Sequence, residues 1–155
     1  MILIPGTKST IMDLMWLRQC GLEAALQKAA ASGTLIFGIC GGYQMMGELI
    51  SDPEQVEASD VSEIRGMGLL RMETVFRGEK VQTQVSGVLS GIQGMLSELN
   101  GMDYAGYEIH MGRSEIWLEA VSEVPVLNGV GTVYGTYVHG FFDAPGISDT
   151  ILKAI

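Results

Sequence analysis

Leu35-Ile36-Phe37-Gly38-Ile39-Cys40-Gly41-Gly42-Tyr43-Gln44-Met45-Met46-Gly47-Glu48-Leu49-Ile50 is the stretch on which the fold turns. An apolar run leads into the Gly-rich pentapeptide Gly38 to Gly42, and a helix-compatible run follows it. This order predicts a buried strand over 34–39, a sharp turn, and a helix reaching to about Ile50. Such a turn holds one side chain at a strained backbone position above the end of a sheet, as in a nucleophile elbow. Here the side chain is a thiol. Free N–H groups and the dipole at a helix N-terminus favour a thiolate, so the sequence predicts a Cys40 pKa below the ordinary thiol value. A cysteine at a strand end can equally be inert packing. The glycines on both sides are what favour a nucleophile.

Outward from the elbow, residues 1–4 read as a short buried strand and Pro5-Gly6-Thr7-Lys8 as a loop. Ser9 or Thr10 is placed to cap a helix running to about Gln19, and Gly21 stops it. A second helix is predicted from Leu22 to Ala31, ending at Gly33. Residues 51–65 are polar and acidic and read as a surface loop. Gly68–Phe76 and Lys80–Val88 read as two strands, the second antiparallel to the first. Residues 90–101 are Gly-rich and ambiguous. Tyr104–Met111 and Ser114–Glu119 are strand candidates, and Gly131–Val138 is a Gly-interrupted strand ending at His139. Ser148–Ile155 begins a helix that the chain end cuts short. Alternating strands and helices early in the chain predict an α/β fold, a parallel sheet core with helices on its faces. The middle hairpins predict an antiparallel extension at one edge.

The chain has 155 residues, 47% hydrophobic and 17% charged, which suits one domain with a full core. Its net charge of −9, with no basic run, argues against nucleic acid as a partner, because phosphate neutralisation needs clustered Lys and Arg. No apolar stretch approaches a membrane span, and the N-terminus carries no positive leader region, so no membrane partner and a cytoplasmic location are expected. Cys20 and Cys40 can form at most one disulfide, and the cytosol keeps thiols reduced. The spacing of Cys20, Cys40, His110 and His139 matches no compact zinc pattern, so no metal site is expected. Cys20, beside Gly21 at a helix end, reads as packing. The ten Met residues read as core filler.

A cysteine nucleophile needs a base, and only His110 and His139 are available. His139 ends an apolar strand, and Cys40 ends another. Two strand ends of one parallel sheet bring such residues together. An oxyanion hole needs two converging N–H donors, for which Gly41 and Gly6 are the candidates. Gln44 lies one helical turn after Cys40 and can reach a substrate bound at the thiol. Glu108 and His110 share one strand face and can orient a catalytic group or bind a polar substrate, although an exposed polar edge would look the same.

Four blocks now resemble a known family. Gly38-Ile39-Cys40-Gly41-Gly42-Tyr43-Gln44 is similar to the nucleophile motif of class I glutamine amidotransferases, in the branch carried by cobyric acid synthases. Ile4-Pro5-Gly6-Thr7-Lys8-Ser9-Thr10-Ile11-Met12-Asp13-Leu14 resembles that branch's proline-glycine loop and following helix. Gly106-Tyr107-Glu108-Ile109-His110-Met111-Gly112 and Gly135-Thr136-Tyr137-Val138-His139-Gly140-Phe141-Phe142-Asp143 resemble two further blocks. The resemblance implies a flavodoxin-like fold, with Cys40 attacking the side-chain amide of glutamine and His139 serving as base and acid. Gly6 and Gly41 would hold the oxyanion, and Gln44 would contact substrate. It also implies that the ammonia amidates corrin carboxylates activated by a synthetase domain of the same polypeptide. That domain, not this one, would use ATP and Mg²⁺, within cobalamin biosynthesis.

The resemblance has departures. Many class I amidotransferases carry Glu two residues after the histidine; here that position is Phe141, so a Cys–His dyad is expected, with Glu108, His110 or Asp143 as possible orienting groups. No Gly-x-x-x-x-Gly-Lys-Ser/Thr phosphate loop occurs. Residues 1–155 are therefore expected to be a partial amidotransferase domain without its first strand and helix and without the synthetase. Alternatives are the amidotransferase part of cobyrinic acid a,c-diamide synthase or of an enzyme amidating cell-wall lipid precursors. A non-catalytic docking fragment is a third, and a cysteine peptidase is weaker still. The Glu108–His110 block argues against the first two.

Overall fold

The computed structural model describes residues 1–58, 60–116 and 125–155. In chain order the elements are β1 (Ile2–Ile4), α1 (Thr10–Gln19), α2 (Leu22–Ala31), β2 (Ile36–Ile39) and α3 (Gly41–Met45), then β3 (Leu49–Ser51), β4 (Glu63–Arg65), β5 (Met72–Val88), β6 (Asp103–Ile116), β7 (Asn128–Val130), β8 (Val133–Thr136) and α4 (Ile147–Ala154). Short 3-10 turns span Gly94–Leu99 and Phe141–Asp143.

One four-stranded sheet runs β1-β2-β8-β7. β2 is parallel to β1 and to β8, with Gly38 opposite both Ile4 and Gly135, and β7 closes the edge antiparallel to β8. β2 is apolar throughout because both of its faces are covered. Ile36 packs with Ile11 and Leu14 of α1 and Leu26 of α2, while Leu35 and Phe37 point the other way, into a cluster with Leu96, Leu99, Phe141 and Ile151. That alternation is the period of two expected of a strand. The predicted parallel core is thus observed, but its antiparallel edge is β7, and not the middle hairpins expected there.

The middle of the chain departs from the sequence reading. A second four-stranded sheet, β4-β3-β5-β6, stands apart from the first. The helix expected to reach Ile50 stops at Met45, because Glu48 N–H bonds the Met72 carbonyl and Leu49–Ser51 pairs with β4 and β5. The two strands expected at 68–76 and 80–88 are one strand, β5, which pairs along its length with β6 across a register shift between Val75 and Lys80. Glu54 holds that irregular stretch, accepting from Gly78 N–H at 2.9 Å. Likewise 104–111 and 114–116 are one strand, β6; residues 117–119 of the second candidate lie outside the described residues. The loop expected over 51–65 contains β4, with residue 59 outside the described residues.

The two sheets are stitched where the site lies. Tyr107 and His139 exchange backbone hydrogen bonds of 3.1 and 2.8 Å, an isolated antiparallel bridge between β6 and the end of the β8 segment. Gly106 makes the approach possible, since a Cβ there would run into the His139 carbonyl and reach within 2.6 Å of Val138 Cγ1. Among the described residues no helix is long and apolar enough to cross a membrane.

Candidate active site

Cys40 joins β2 to α3 with φ 50° and ψ −113°, a conformation that costs an L-residue on the order of 1–3 kcal/mol. The surrounding backbone imposes it. Cys40 N–H bonds Thr136 O and Gln44 N–H bonds Cys40 O, each at 2.9 Å. The two following glycines let the Pro5–Lys8 loop press against the elbow. A Cβ on Gly41 would meet Thr7 Cγ2 at 2.8 Å and Thr7 N at 3.0 Å, and one on Gly42 would collide with the Ile4 carbonyl. The Gly-Gly pair is therefore what brings the loop and the Cys40 elbow together.

Gly6 is the meeting point. A Cβ built on it would lie 3.4 Å from Cys40 Cβ and 3.5 Å from His139 Cε1, so thiol and imidazole converge on one spot from two strand ends. Tyr107 stacks flat on the His139 ring, with centroids 5.1 Å apart and planes 8° apart. His139 Nε2 is buried and has no hydrogen-bond partner. An orphaned ring nitrogen is costly unless it has work to do, because a buried polar atom without a partner loses its solvation. At rest the Cys40 thiol donates weakly to Ile109 O at 3.6 Å. The N–H groups of Gly6 and Gly41 donate to no backbone carbonyl among the described residues.

The thiol itself corrects the sequence expectation. Burial pushes the Cys40 thiol up from its ordinary value, the Gly41 N–H works against this, and the charges of Glu57 and Glu108 add to the rise. α3 is only five residues long, too short for its dipole to outweigh desolvation. Near neutral pH this burial favours the neutral thiol over the thiolate.

The remaining candidates are placed differently from one another. Gln44 lines the cleft, but its side chain is committed. Its Nε2 donates to Met111 O at 2.9 Å and to Tyr137 Oη at 3.2 Å, and its Oε1 accepts from Thr10 Oγ1 at 3.3 Å. These bonds fix its rotamer where it lines the cleft beside Cys40, the place expected of a substrate-contacting residue. His110 stacks on Tyr137, with centroids 3.9 Å apart. Its Nδ1 lies 3.1 Å from Gly112 O and its Nε2 3.5 Å from Glu108 Oε2. Glu108 therefore faces His110, not His139. Asp143 is exposed, with its Oδ2 against Gly140. Among the described residues no carboxylate bonds the His139 ring. Tyr137, buried, completes the wall through Ser114 Oγ at 2.5 Å, and burial pushes its phenol up to about 12. Cys20, expected to pack, is instead exposed as the residue that ends α1.

A cleft of about 400 Å³ opens over Cys40. Its apolar lining comes from Val56, Phe76, Ile109 and Met111, and its charges from Lys8, Glu57 and Lys80. The sequence reading did not single out these three charged residues. Glu57 fell in a stretch read as surface loop, and Lys80 reaches the cleft only because β5 is continuous. Lys8 alone had a signal, its place two residues after Gly6.

Residues 1–147 match the family described as CobB/CobQ-like glutamine amidotransferase domain. Over its whole length the chain is 49% identical to a cobyric acid synthase of Lachnoclostridium phytofermentans and 41% identical to one of Moorella thermoacetica. It covers 34% and 32% of those proteins, so it spans about a third of the curated relatives it matches. Among solved structures, a crystal structure titled glutamine amidotransferase aligns over 98% of this chain and 77% of its own, with TM-score 0.60 and 17% identity. A PurLQS structure from Thermotoga maritima aligns over 85% of this chain and 67% of its own, with TM-score 0.56 and 21% identity. At those identities the two structures speak for the fold alone.

Proposed function

Because the chain belongs to the CobB/CobQ-like glutamine amidotransferase domain family, we propose that it is the glutaminase part of a cobyric acid synthase. In this reading it hydrolyses glutamine at Cys40 and His139 and supplies ammonia for ATP-dependent amidation of corrin side-chain carboxylates in cobalamin biosynthesis. The carrying observation is the convergence of Cys40 Cβ and His139 Cε1 on Gly6.

His139 takes the thiol proton as Cys40 Sγ attacks Cδ of the glutamine amide. The C=O electrons move to oxygen, and the N–H groups of Gly6 and Gly41 face the oxyanion that forms. As the tetrahedral adduct collapses, the C–N bond breaks and His139 returns the proton to nitrogen, releasing ammonia and leaving a γ-glutamyl thioester. Water then attacks the thioester, giving up one proton to His139. The C–S bond breaks, the proton returns to sulfur, and glutamate leaves. The thiol raised by burial makes the base indispensable, since little thiolate forms unaided near neutral pH. The ATP- and Mg²⁺-dependent activation of the acceptor carboxylate belongs to a synthetase domain of the same polypeptide.

Glutamate release from glutamine tests the reading. Wild-type protein is expected to turn over glutamine, and Cys40→Ser and His139→Ala are expected to lose turnover while keeping their fold. Equal turnover by wild type and Cys40→Ser would remove Cys40 as the nucleophile.

A further inference from the structure

His139 lies just beyond the end of β8, where the chain turns away through Gly140 with a φ of 80°. Its N–H and C=O are both spent on Tyr107, at 2.8 and 3.1 Å. Those bonds fix the backbone and leave the two side-chain torsions to be set by whatever the ring touches. Among the described residues no carboxylate bonds that ring. Tyr107 does meet it. The two residues stand opposite each other across the bridge, the relation in which cross-strand side chains make contact. Their rings lie 5.1 Å apart with planes 8° from parallel. Gly6 closes on the edge of the imidazole, where a built Cβ would lie 3.5 Å from Cε1.

The Tyr107 side chain is 47% exposed, so it adds little to either core. Its backbone is set without it, by the pairing of β6 with β5, in which Tyr107 faces Gln84. Resting on the glutaminase reading, we propose that Tyr107 is the positioning residue for His139, its ring holding the imidazole in the one rotamer from which it can serve Cys40 as base. A base must be in place twice, when the thiol proton leaves and when a proton goes to the departing nitrogen. An imidazole free to swing spends part of its time out of reach of both. The imidazolium that exists between the two steps also lies on the electron-rich face of an aromatic ring, which favours a cation. Both effects need the ring of Tyr107 and neither needs its hydroxyl.

Two substitutions separate ring from hydroxyl. Tyr107→Phe keeps the ring, and Tyr107→Val keeps a strand-forming side chain but loses it. The chain has two histidines, so NMR spectra of the imidazole rings read His139 directly, with His110 on Tyr137 as the internal control. In wild type and Tyr107→Phe the His139 ring protons are expected upfield in one sharp set, shielded by the stacked ring. In Tyr107→Val they are expected to move downfield and broaden as the imidazole samples several rotamers, while the His110 signals stay put. Glutamate release on the same proteins is expected to show kcat lowered about 10–100-fold in Tyr107→Val with KM unchanged, the scale of a misplaced reacting group, and restored in Tyr107→Phe. The melting temperature is expected to change little in either, since the side chain is half exposed. Unmoved His139 signals in Tyr107→Val would overturn the assignment. So would a loss expressed in KM alone, or an equal loss in the Phe and Val variants. Absence of turnover in the wild type would count against the glutaminase reading, and the spectra would then decide by themselves whether Tyr107 fixes the ring.

Discussion

His110 on β6 and His139 just beyond β8 each stack on a tyrosine, yet their ring nitrogens are placed very differently. His110 is stacked on Tyr137, and both of its ring nitrogens face oxygen atoms, Gly112 O and Glu108 Oε2. His139 is stacked on Tyr107 and keeps a buried Nε2 with no partner, beside a thiol. One imidazole has spent its hydrogen-bonding capacity on the wall, and the other holds it in reserve. In the proposed glutaminase the base is therefore the histidine whose buried ring nitrogen lacks a partner, not the one beside an acidic residue in sequence.

Removing each histidine in turn is the strongest way to break that contrast. His139→Ala is expected to lower kcat/KM for glutamine by about 10³-fold or more, the scale of a lost general base, with the melting temperature little changed. His110→Ala is expected to cost about 1–3 kcal/mol of stability by opening the stack on Tyr137, with activity falling far less. Denaturant melts and glutamate release on the two variants check both arms, and the reverse pattern would exchange the roles.

Gly6→Ala sharpens the geometry. Its methyl would sit at ordinary contact distance from both Cys40 and His139, so folding is expected to survive while the space for a reacting amide is filled. A fall of about 10–100-fold in kcat/KM without loss of stability is expected, in line with small misplacements of reacting groups. Gly42→Ala, whose methyl collides with the Ile4 carbonyl, is expected to unfold the elbow instead. Thermal melts separate the two substitutions.

The smallest effect concerns pH. Burial raises Cys40, Tyr43 and Tyr137, so above the ordinary thiol value of 9.0 the unfolded chain gives up protons that the folded chain keeps. Stability contributed by these groups is complete at neutral pH and declines as pH rises from about 9 toward 12. Melting temperature against pH is expected to fall over that range, and Tyr137→Phe to flatten part of the slope.

What the sequence made legible was local. The elbow could be read because Gly-Ile-Cys-Gly-Gly between an apolar run and a helix former has one economical backbone path. Cys40 and His139 could be read together because parallel strand ends share an edge. The end of α3 could not be read from Tyr43 to Ile50, since what stops the helix is pairing of Leu49–Ser51 with strands that begin at Glu63 and Met72. Residues 77–79 fell between the two expected strands, and the Glu54 contacts to Arg77 and Gly78 that hold them within β5 come from far back in the chain. Glu57 was hidden for the same reason, as a loop acid whose meaning depends on the helix it caps and the cleft it lines. The raised thiol was missed because its cause is burial, which motif spacing does not report.

The proposed chemistry requires thiol and imidazole to act as one site. The direct measurement is mass-spectrometric mapping of the adduct formed with 6-diazo-5-oxo-norleucine, a glutamine-shaped electrophile, on wild type, Cys40→Ser, His139→Ala and His110→Ala. Labelling confined to Cys40, blocked by glutamine, lost in His139→Ala and retained in His110→Ala is the predicted result. Labelling of Cys40 that is indifferent to His139, or labelling at exposed Cys20 in its place, would contradict it.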